Sequence, residues 1–471
     1  MTAFQSLNPA TGDVFWSGEM ASTDLVHQHI ASAKKAFKEW SHTSIDERIT
    51  ILKSYADILE EHKDEIADTI AKETGKPRWE TATEAAALIG KVTISIDAYH
   101  DRTGTNQAEM SAGITRSVHH RPIGVMAVFG PYNFPMHLPN GHIVPALLAG
   151  NTVVFKPSEE TPACGELLVN YLHKAGLPEG VVNLVHGSRN VGITLTNHAD
   201  INGILFTGSY ATGRAIHKGL AGRPEVMLAL EMGGNNPLIV HEVENTKHAA
   251  KMVLDSAFIT AGQRCTCARR LIVPQGDAGN ALIKEIVEMT QRIIVDEPYA
   301  DPAPFMGTLI NNVQADNVLQ AQSMLRSKGG RSVLEAARLH DDLPYLSCGI
   351  IDVTGATDLP DEEVFGPLLQ VIRVRDMDEA IAQANNTTYG LSAGIISDNK
   401  ATREQAYNQL HAGIINMNRP LTGAASAAPF GGPGRSGNYR PSAYYAADYC
   451  AYPVASLVSE EIAEGAMIGM R

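Results

Sequence analysis

The chain has 471 residues and a formal net charge of −14, with 52 acidic against 38 basic residues. This length predicts two or three domains, because single hydrophobic cores stop growing at about 250–300 residues. The acidic excess makes nucleic acid and anionic membranes poor partners, since binding phosphate groups requires clustered Lys and Arg side chains.

The beginning of the chain, residues 1–18, has neither the basic nor the apolar segment of a secretory signal. No apolar run approaches the roughly 20 residues that a membrane-spanning helix needs. The cysteines, five in all, form an odd and sparse set that is not typical of a disulfide framework. We therefore expect a cytoplasmic protein without a membrane partner.

The first hundred residues predict helices, because apolar residues recur at helical spacing in 34–40 and throughout 50–75. Gly75 followed by Pro77 is a typical helix stop. From residue 123 the pattern changes to short apolar runs separated by helical stretches. These runs predict strands at 124–130, 152–157, 181–187 and 203–208. Continuously apolar strands that alternate with helices indicate a parallel sheet covered on both faces.

The second half repeats this alternation less regularly. It predicts a helix at 248–262 and strands at 226–234, 236–242 and 269–274. The fold is therefore predicted to be α/β, with a parallel-sheet cofactor domain and a second α/β domain. In open parallel sheets, ligands bind beyond the carboxyl ends of the strands, so the residues after each strand are the candidates for a site.

Cys265 lies in a loop, in TAGQRCTCARR (260–270), just after the predicted helix. Nearby arginines and loop amides could favour its thiolate, the form that attacks a carbonyl carbon. A buried structural cysteine is the alternative, and the residues alone leave both open. Cys265 and Cys267 are not a zinc site, because no second Cys/His pair follows at ligand spacing, and no metal is predicted.

Glu231 ends an apolar run in LALEMGGNNP (228–237), where a buried carboxylate is costly unless it is paired or functional. It is a candidate general base for water, or else a salt-bridged glutamate at a strand end. Asn133, in FGPYNFP (129–135), offers an amide that could join the Cys265 backbone amide in an oxyanion hole. A simple turn role is the alternative for Asn133.

Two further segments suit a dinucleotide. FTGSYATG (206–213) offers Ser209 and exposed amides at a helix start, although Gly208 and Gly213 do not make the usual G-x-G-x-x-G spacing. KPSEET (156–161) places Lys156 and Glu159 after the neighbouring strand, where Glu159 could accept hydrogen bonds from ribose hydroxyls.

Taken together and in this order, the motifs resemble those of the aldehyde dehydrogenase superfamily. The resemblance runs from residue 8 to residue 437 and rests on NPATG, GPYNFP, FKPSEETP, FTGSYATG, LALEMGGNNP, GQRCTCARR, EEVFGPLL, NNTTYGLSAG and PFGGPGRSG. It implies a Rossmann-like cofactor domain (1–103 and 123–232), a catalytic domain (233–435) and oligomerisation segments (104–122 and 436–471). A homodimer or homotetramer is the implied assembly.

The resemblance also implies a role for each candidate residue. Cys265 is the implied nucleophile, Glu231 the general base and Asn133 the oxyanion donor. The implied cofactor contacts are Lys156 and Glu159 at the adenosine ribose, Gly208, Ser209 and Gly213 at the pyrophosphate, and Glu363 and Phe365 at the nicotinamide end. The implied mechanism is thiolate attack, hydride transfer to NAD(P)+ and hydrolysis of the thioester. NAD is favoured because Glu159 would repel a 2′-phosphate, with NADP possible.

Four segments, 130–151, 262–271, 420–432 and 440–453, further resemble the subgroup that acts on an N-succinylated glutamate semialdehyde in bacterial arginine catabolism. A substrate with several carboxylates needs a cationic anchor, for which Arg264 and Arg419 are candidates. A structural or surface role is the favoured alternative for each of them. The chain starts close to NPATG, so we expect no strand before it.

Three other functions stay open from the sequence. The chain could act on a different semialdehyde or aliphatic aldehyde, could pass its thioester to coenzyme A, or could bind a cofactor without catalysis. The carboxylate at Glu231 favours hydrolysis over transfer to coenzyme A, and the complete catalytic set argues against a silent protein.

Overall fold

The computed structural model describes residues 3–111, 113–462 and 468–469. The N-terminal part contains β1 (Ala3–Leu7), β2 (Val14–Glu19), α1 (Thr23–Trp40), α2 (Ile45–Glu61), α3 (Lys63–Thr74), α4 (Arg78–Thr103), β3 (Asn106–Ser111) and β4 (Ile114–Pro122). It is followed by β5 (Val125–Phe129), α5 (His137–Ala149), β6 (Thr152–Lys156), α6 (Pro162–Lys174), β7 (Val182–Leu184), α7 (Arg189–Asn197), β8 (Gly203–Gly208), α8 (Tyr210–Gly219) and β9 (Met227–Met232).

The second half continues the alternation of strands and helices. It contains β10 (Asn236–Val240), α9 (Thr246–Ala257), β11 (Ala268–Pro274), α10 (Asp277–Thr290), α11 (Asn312–Ser327), β12 (Arg331–Leu334), β13 (Gly349–Asp352), β14 (Leu368–Val374), α12 (Met377–Asn385), β15 (Ser392–Ile396), α13 (Lys400–Gln409) and β16 (Ile414–Met417). The chain closes with β17 (Pro429–Phe430), β18 (Ser442–Ala443), α14 (Ala446–Cys450) and β19 (Ala451–Ser459).

The first large sheet has the strand order β7-β6-β5-β8-β9, and its neighbouring strands are all parallel. Every residue of β5 and β6 is buried, as expected for strands covered on both faces. The order reverses at β5, and the carboxyl ends of β6, β5 and β8 therefore border the crevice where parallel sheets bind ligands. The predicted parallel sheet is confirmed.

The second large sheet has the order β12-β13-β14-β11-β10-β15-β16. Its neighbouring strands are parallel except for β12, which runs antiparallel to β13 at one edge. A mixed α/β fold with two sheets is therefore confirmed. The exact domain boundaries at 103, 123, 233 and 435 stay a prediction.

A third sheet, of order β19-β4-β3, is antiparallel and joins the two segments that were predicted to mediate oligomerisation. All six residues of β3 are exposed, and so is most of β19. No helix in the described part of the chain is both long and apolar enough to cross a membrane.

Three local predictions were wrong. A strand, β1, does precede NPATG and pairs with β2, in a region for which only helices were expected. The helix predicted over 50–75 is two helices that meet at His62. The helix predicted over 248–262 ends at Ala257, and a short 3-10 turn with Thr260 and Ala261 in left-handed conformations replaces its last residues.

Candidate active site

Cys265 lies on the loop between α9 and β11, which belongs to the second sheet. The turn before it is sharp: Thr260, Ala261 and Gly262 have φ values of 59°, 50° and 70°. A left-handed conformation is unfavourable for a residue with a Cβ, so two successive ones indicate a backbone that the surroundings hold in place. The turn ends the helix early and places the cysteine just before the amino end of β11.

Side chains from three other segments fix this loop by binding its carbonyl groups. Asn236 donates from Nδ2 to the carbonyl oxygens of Cys265, at 2.6 Å, and Cys267, at 2.9 Å. The buried guanidinium of Arg269 donates to the carbonyl of Gly262 at 2.7 Å. Asn133 donates from Nδ2 to the carbonyl of Gln263 at 2.8 Å. The position of the thiol is therefore set by buried hydrogen bonds to the backbone on both sides of it.

Cys265 and Glu231 line the same cavity, which has a volume of about 220 Å³. Glu231 is the penultimate residue of β9 in the first sheet, and Cys265 belongs to the second, so the cavity lies where the two sheets approach each other. The residues that line it include the polar side chains of Lys91, His142, Thr422 and Ser426.

The Glu231 carboxyl group is only 3% exposed. Its Oε1 accepts a hydrogen bond from the backbone amide of Ser442 at 3.0 Å, whereas Oε2 has no partner among the described residues. Burial raises the pKa of this carboxyl group well above its ordinary value, with the Ser442 amide opposing the shift. A carboxyl group with a raised pKa and a free oxygen facing a cavity is suited to accept a proton there.

The thiol of Cys265 is not stabilised as a thiolate by its neighbouring arginines, contrary to the sequence-based expectation. Burial raises its pKa strongly, and the carboxylates of Glu363 and Glu231 add to the shift, while Arg269 opposes it only in part. Arg264 instead binds Glu80, with Nη2 at 2.9 Å from Oε1. The Glu80 carboxylate therefore balances the charge of Arg264, and this arginine does not lower the pKa of the Cys265 thiol.

The predicted adenosine-ribose contacts lie at the carboxyl end of the first sheet. Lys156 is the last residue of β6, and its Nζ lies 3.5 Å from Oε2 of Glu159. The lysine is buried, whereas the carboxylate is half exposed and open to a ligand. Burial lowers the pKa of the lysine, and the nearby carboxylate counters that shift.

The predicted pyrophosphate turn lies two strands away, where β8 passes into α8. Ser209 is the N-cap of α8 and accepts a hydrogen bond from the amide of Thr212 at 3.3 Å. Gly208 is the last residue of β8. At Gly213, a Cβ would lie 2.5 Å from the sulfur of Met232, so the absent side chain is what lets α8 pack closely on the sheet. The helix N-terminus then faces the crevice, as anion binding requires.

Glu363 and Phe365 lie on the loop before β14, between the cysteine and the first sheet. Oε1 of Glu363 is buried without a hydrogen-bond partner in the described chain, 3.5 Å from Nη2 of Arg269. A Cβ on Gly233 would overlap the Glu363 carboxylate, at 1.7 Å. The ring of Phe365 packs under the Arg269 guanidinium, at 5.4 Å. Gly233 thus makes room for the carboxylate, and Oε1, which accepts no hydrogen bond in the described chain, can accept one from a ribose hydroxyl.

The two arginines proposed as substrate anchors differ in position. Arg264 lines the cavity, but it is bound to Glu80 and Thr260 and lies 5.0 Å above the ring of Phe134. Arg419 is exposed, follows β16 and does not line the cavity. The structure therefore brings only Arg264 to the site.

Several residues that the sequence did not single out contribute to the site. Ser442 and Ala443 line the cavity, so part of the segment predicted to mediate oligomerisation contributes to it instead. His142 contacts the hydroxyl groups of Tyr449 and Thr207 at 2.9 and 3.0 Å and also borders the cavity. Asn236 and Arg269 lie inside the quoted motifs, and His142, Ser442 and Ala443 lie inside the segments 130–151 and 440–453.

Comparison with known proteins agrees with this geometry. Residues 1–453 match the Aldehyde dehydrogenase family, and the chain belongs to that family. It is therefore an oxidoreductase of the aldehyde dehydrogenase class that uses a nicotinamide cofactor.

More specific similarities follow within the family. The chain is 53% identical over 458 residues to the N-succinylglutamate 5-semialdehyde dehydrogenase of Hahella chejuensis, covering 97% of this chain and 93% of that protein. Among solved structures, 1-pyrroline-5-carboxylate dehydrogenase from Thermus with bound NAD is 29% identical, with a TM-score of 0.91 and coverage of 97% and 90% of the two chains. NADP-dependent glyceraldehyde-3-phosphate dehydrogenase from Bacillus halodurans, complexed with NADP, is 29% identical, with a TM-score of 0.90 and coverage of 97% and 96%.

Proposed function

We propose that this protein oxidises N-succinyl-L-glutamate 5-semialdehyde to N-succinyl-L-glutamate, as a step of arginine catabolism. The observation that carries the proposal is the single polar cavity that Cys265 and Glu231 share. The 53% identity to an N-succinylglutamate 5-semialdehyde dehydrogenase, extending over nearly the whole of both chains, supports this particular aldehyde.

In the first half of the reaction, the sulfur of Cys265 attacks the aldehyde carbon and forms a thiohemiacetal. The thiolate is the attacking form, and because burial raises the pKa of the thiol, its proton has to be released to solvent first. The oxygen that gains negative charge is stabilised by the Cys265 backbone amide and the Asn133 side chain. Asn133 uses one N–H for Gln263 and has a second to donate.

The cofactor, when bound, supplies the acceptor for the hydride that leaves the thiohemiacetal carbon. Lys156, Glu159 and Ser209 would hold its adenosine and pyrophosphate portions, and Glu363 and Phe365 its nicotinamide end. Oε1 of Glu363, which accepts no hydrogen bond within the described chain, supports this assignment. Loss of the hydride leaves a thioester on Cys265.

In the second half, Glu231 removes a proton from water, which hydrolyses the thioester and frees the cysteine. The free Oε2 of Glu231 is the atom suited to this step, because the Ser442 amide occupies Oε1. The same carboxylate supports release of a free acid over transfer of the acyl group to coenzyme A. The chain is thus proposed to be non-acylating.

NAD is the proposed cofactor, in preference to NADP. The half-exposed carboxylate of Glu159 stands beside Lys156, where a 2′-phosphate would lie close to it. Relatives of similar fold are described with NAD in one case and NADP in another, so the preference has to rest on this chain's own residues. The ratio of kcat/KM for NAD+ to that for NADP+ measures it.

A homodimer or homotetramer is the proposed assembly, formed through the sheet β19-β4-β3. Apolar side chains of Met110, Leu457 and Val458 are exposed on this sheet, which indicates a surface that another subunit covers. Light scattering on the purified protein would establish the number of subunits.

The proposed location is the cytoplasm. All five cysteines are free thiols, and four of them are buried. Free thiols persist in a reducing compartment, which supports this location.

The substrate proposal is tested by steady-state kinetics with a set of aldehydes. N-succinylglutamate 5-semialdehyde should have the highest kcat/KM, ahead of succinic semialdehyde and butanal, and the product should be the free acid whether or not coenzyme A is added. A preference for butanal would contradict the substrate assignment. Formation of an acyl-CoA would contradict the hydrolytic role of Glu231.

A further inference from the structure

Lys91, in the middle of α4, lines the cavity that contains Cys265. Its side chain is 2% exposed, and Nζ makes no hydrogen bond within the part of the chain that the structure describes. A buried ammonium group without a partner is costly, because it gives up its hydration without compensation. The mechanism above gives this lysine no role.

The groups around Lys91 leave its charge unbalanced. His137 and His142, from α5, are neutral near pH 7, because burial lowers their pKa values to about 4 and about 3. The thiol of Cys450 is neutral too, since burial raises its pKa. Of the carboxyl groups that line the cavity, Glu231 has a raised pKa, and Glu84 is already paired with Lys76, with Oε2 2.9 Å from Nζ.

The cavity also leaves room next to this lysine. Gly141 of α5 faces it, and a Cβ there would lie 3.6 Å from Cε of Lys91, so the missing side chain keeps the approach open. Thr422 and Ser426 add hydroxyl groups to the lining of the same cavity. A cation, hydroxyl groups and open space form a binding site suited to a carboxylate.

We infer that Lys91 binds a carboxylate group of the aldehyde substrate and so selects semialdehydes that carry a carboxylate over uncharged aldehydes. The inference rests on the proposed function, because N-succinylglutamate 5-semialdehyde has two carboxylates besides its aldehyde. Arg264 is the weaker candidate for this interaction, since it is held by Glu80 and Thr260. The substrate supplies the counter-charge that the protein does not.

The test is the Lys91→Met variant of the full-length enzyme, assayed with saturating NAD+. Its KM for N-succinylglutamate 5-semialdehyde should rise about tenfold or more, as expected for loss of a charged hydrogen bond, with kcat changed by less than about twofold. Its KM for butanal should stay the same. Lys53→Met, on the exposed face of α2, is the matched control and should change neither value.

A second measurement does not depend on turnover. The inhibition constant of the product N-succinylglutamate should rise in Lys91→Met by about the same factor as the KM, because the same carboxylate is bound. Lys91→Gln keeps a polar side chain but removes the charge, and it should show the same changes as Lys91→Met. It replaces Lys91→Met in the test if the methionine variant does not fold. Equal changes for butanal and the semialdehyde, or no change for either, would overturn the inference.

The wild-type enzyme separates this inference from the substrate proposal. If another carboxylated semialdehyde is preferred over the N-succinyl compound, the substrate proposal fails, and the Lys91 variants are judged with that semialdehyde. If the wild type oxidises butanal and none of the carboxylated semialdehydes, both fail.

Discussion

The proposed cofactor edge of the first sheet and the proposed substrate cavity, which Cys265 lines, are built in different ways. At the cofactor edge, Lys156 is the last residue of β6 and Ser209 directly follows β8, so the sheet itself sets their positions. The cavity wall comes from α4, α5 and loops near the C-terminus, which are distant in sequence. A site on strand ends depends on local segments, and a site between helices depends on how those helices pack.

The two regions also differ in whether their buried lysine has a carboxylate partner. Lys156 at the cofactor edge has Glu159 beside it, and the pair can meet a neutral ribose without a large change in charge. Lys91 in the cavity has no such partner among the described residues. Substitutions at the cofactor edge should therefore affect all aldehydes alike, whereas substitutions in the cavity should distinguish one aldehyde from another.

The largest expected effect belongs to Cys265, which lines the cavity. Cys265→Ala should lower aldehyde oxidation by about 10⁴-fold or more, because the attacking sulfur is removed. NAD+ affinity, measured by calorimetry, should stay close to that of the wild type. Cys267→Ala is the matched control, since Cys267 is buried behind the loop and should keep most activity. Comparable activity in both variants would contradict a nucleophilic role for Cys265.

The next largest effect is expected at Glu231, which lines the same cavity. Glu231→Gln should slow steady-state turnover by about 10²- to 10⁴-fold, because water loses its base. If the slow step is hydrolysis, one equivalent of reduced cofactor per site should still form in a rapid burst. Glu179→Gln, at an exposed position, should behave as wild type. Loss of the burst in Glu231→Gln would mean that the carboxylate is needed already for the attack by the sulfur.

The pH dependence of the hydrolysis step follows from the same carboxyl group. Only the ionised form can accept a proton, and burial raises the pKa of Glu231 well above 4.5. The hydrolysis rate should therefore rise with pH through that raised value, and should be lost as the pH falls below it. Glu231→Gln should remove this rise. Rapid-mixing measurements of thioester breakdown separate the ionisation of Glu231 from the ionisation of the Cys265 thiol.

Sequence patterns predicted the strand-end part of the molecule well. The apolar runs that gave β5, β6 and β8 were recognisable because strands buried on both faces have no polar positions. The helical spacing before Cys265 continued to residue 262, yet the helix ends at Ala257, because Gly262 packs against the carbonyl of Gly366 from a distant loop. Such a tertiary contact leaves no local pattern.

The cavity wall was not predictable in the same way. Lys91 lies on a helix with polar residues on several faces, and only the packing of α4 on α5 decides that its side chain is buried. Ser442 acts through its backbone amide, which any residue could supply. The strand β1 was missed because it forms a small two-stranded sheet with β2 and lacks a continuously apolar pattern.

The smallest of these effects tests the cofactor edge by itself. In Gly233→Ala the new Cβ would overlap the Glu363 carboxylate, at 1.7 Å, and one of the two groups has to move. The KM for NAD+ should rise roughly tenfold, the value of one hydrogen bond to a charged group. Gly219→Ala, at the end of α8, is the matched control, because a Cβ there meets nothing within 4 Å.

The variant's preference among aldehydes decides what this result means. If the cofactor edge and the cavity are independent, the ratio of kcat/KM for N-succinylglutamate 5-semialdehyde to that for butanal should match the wild-type ratio in Gly233→Ala. A changed aldehyde ratio with an unchanged KM for NAD+ would show instead that Glu363 acts on the substrate side. In that case Glu363 would belong to the substrate cavity and not to the cofactor edge. Its Oε1 would then accept a hydrogen bond from the substrate.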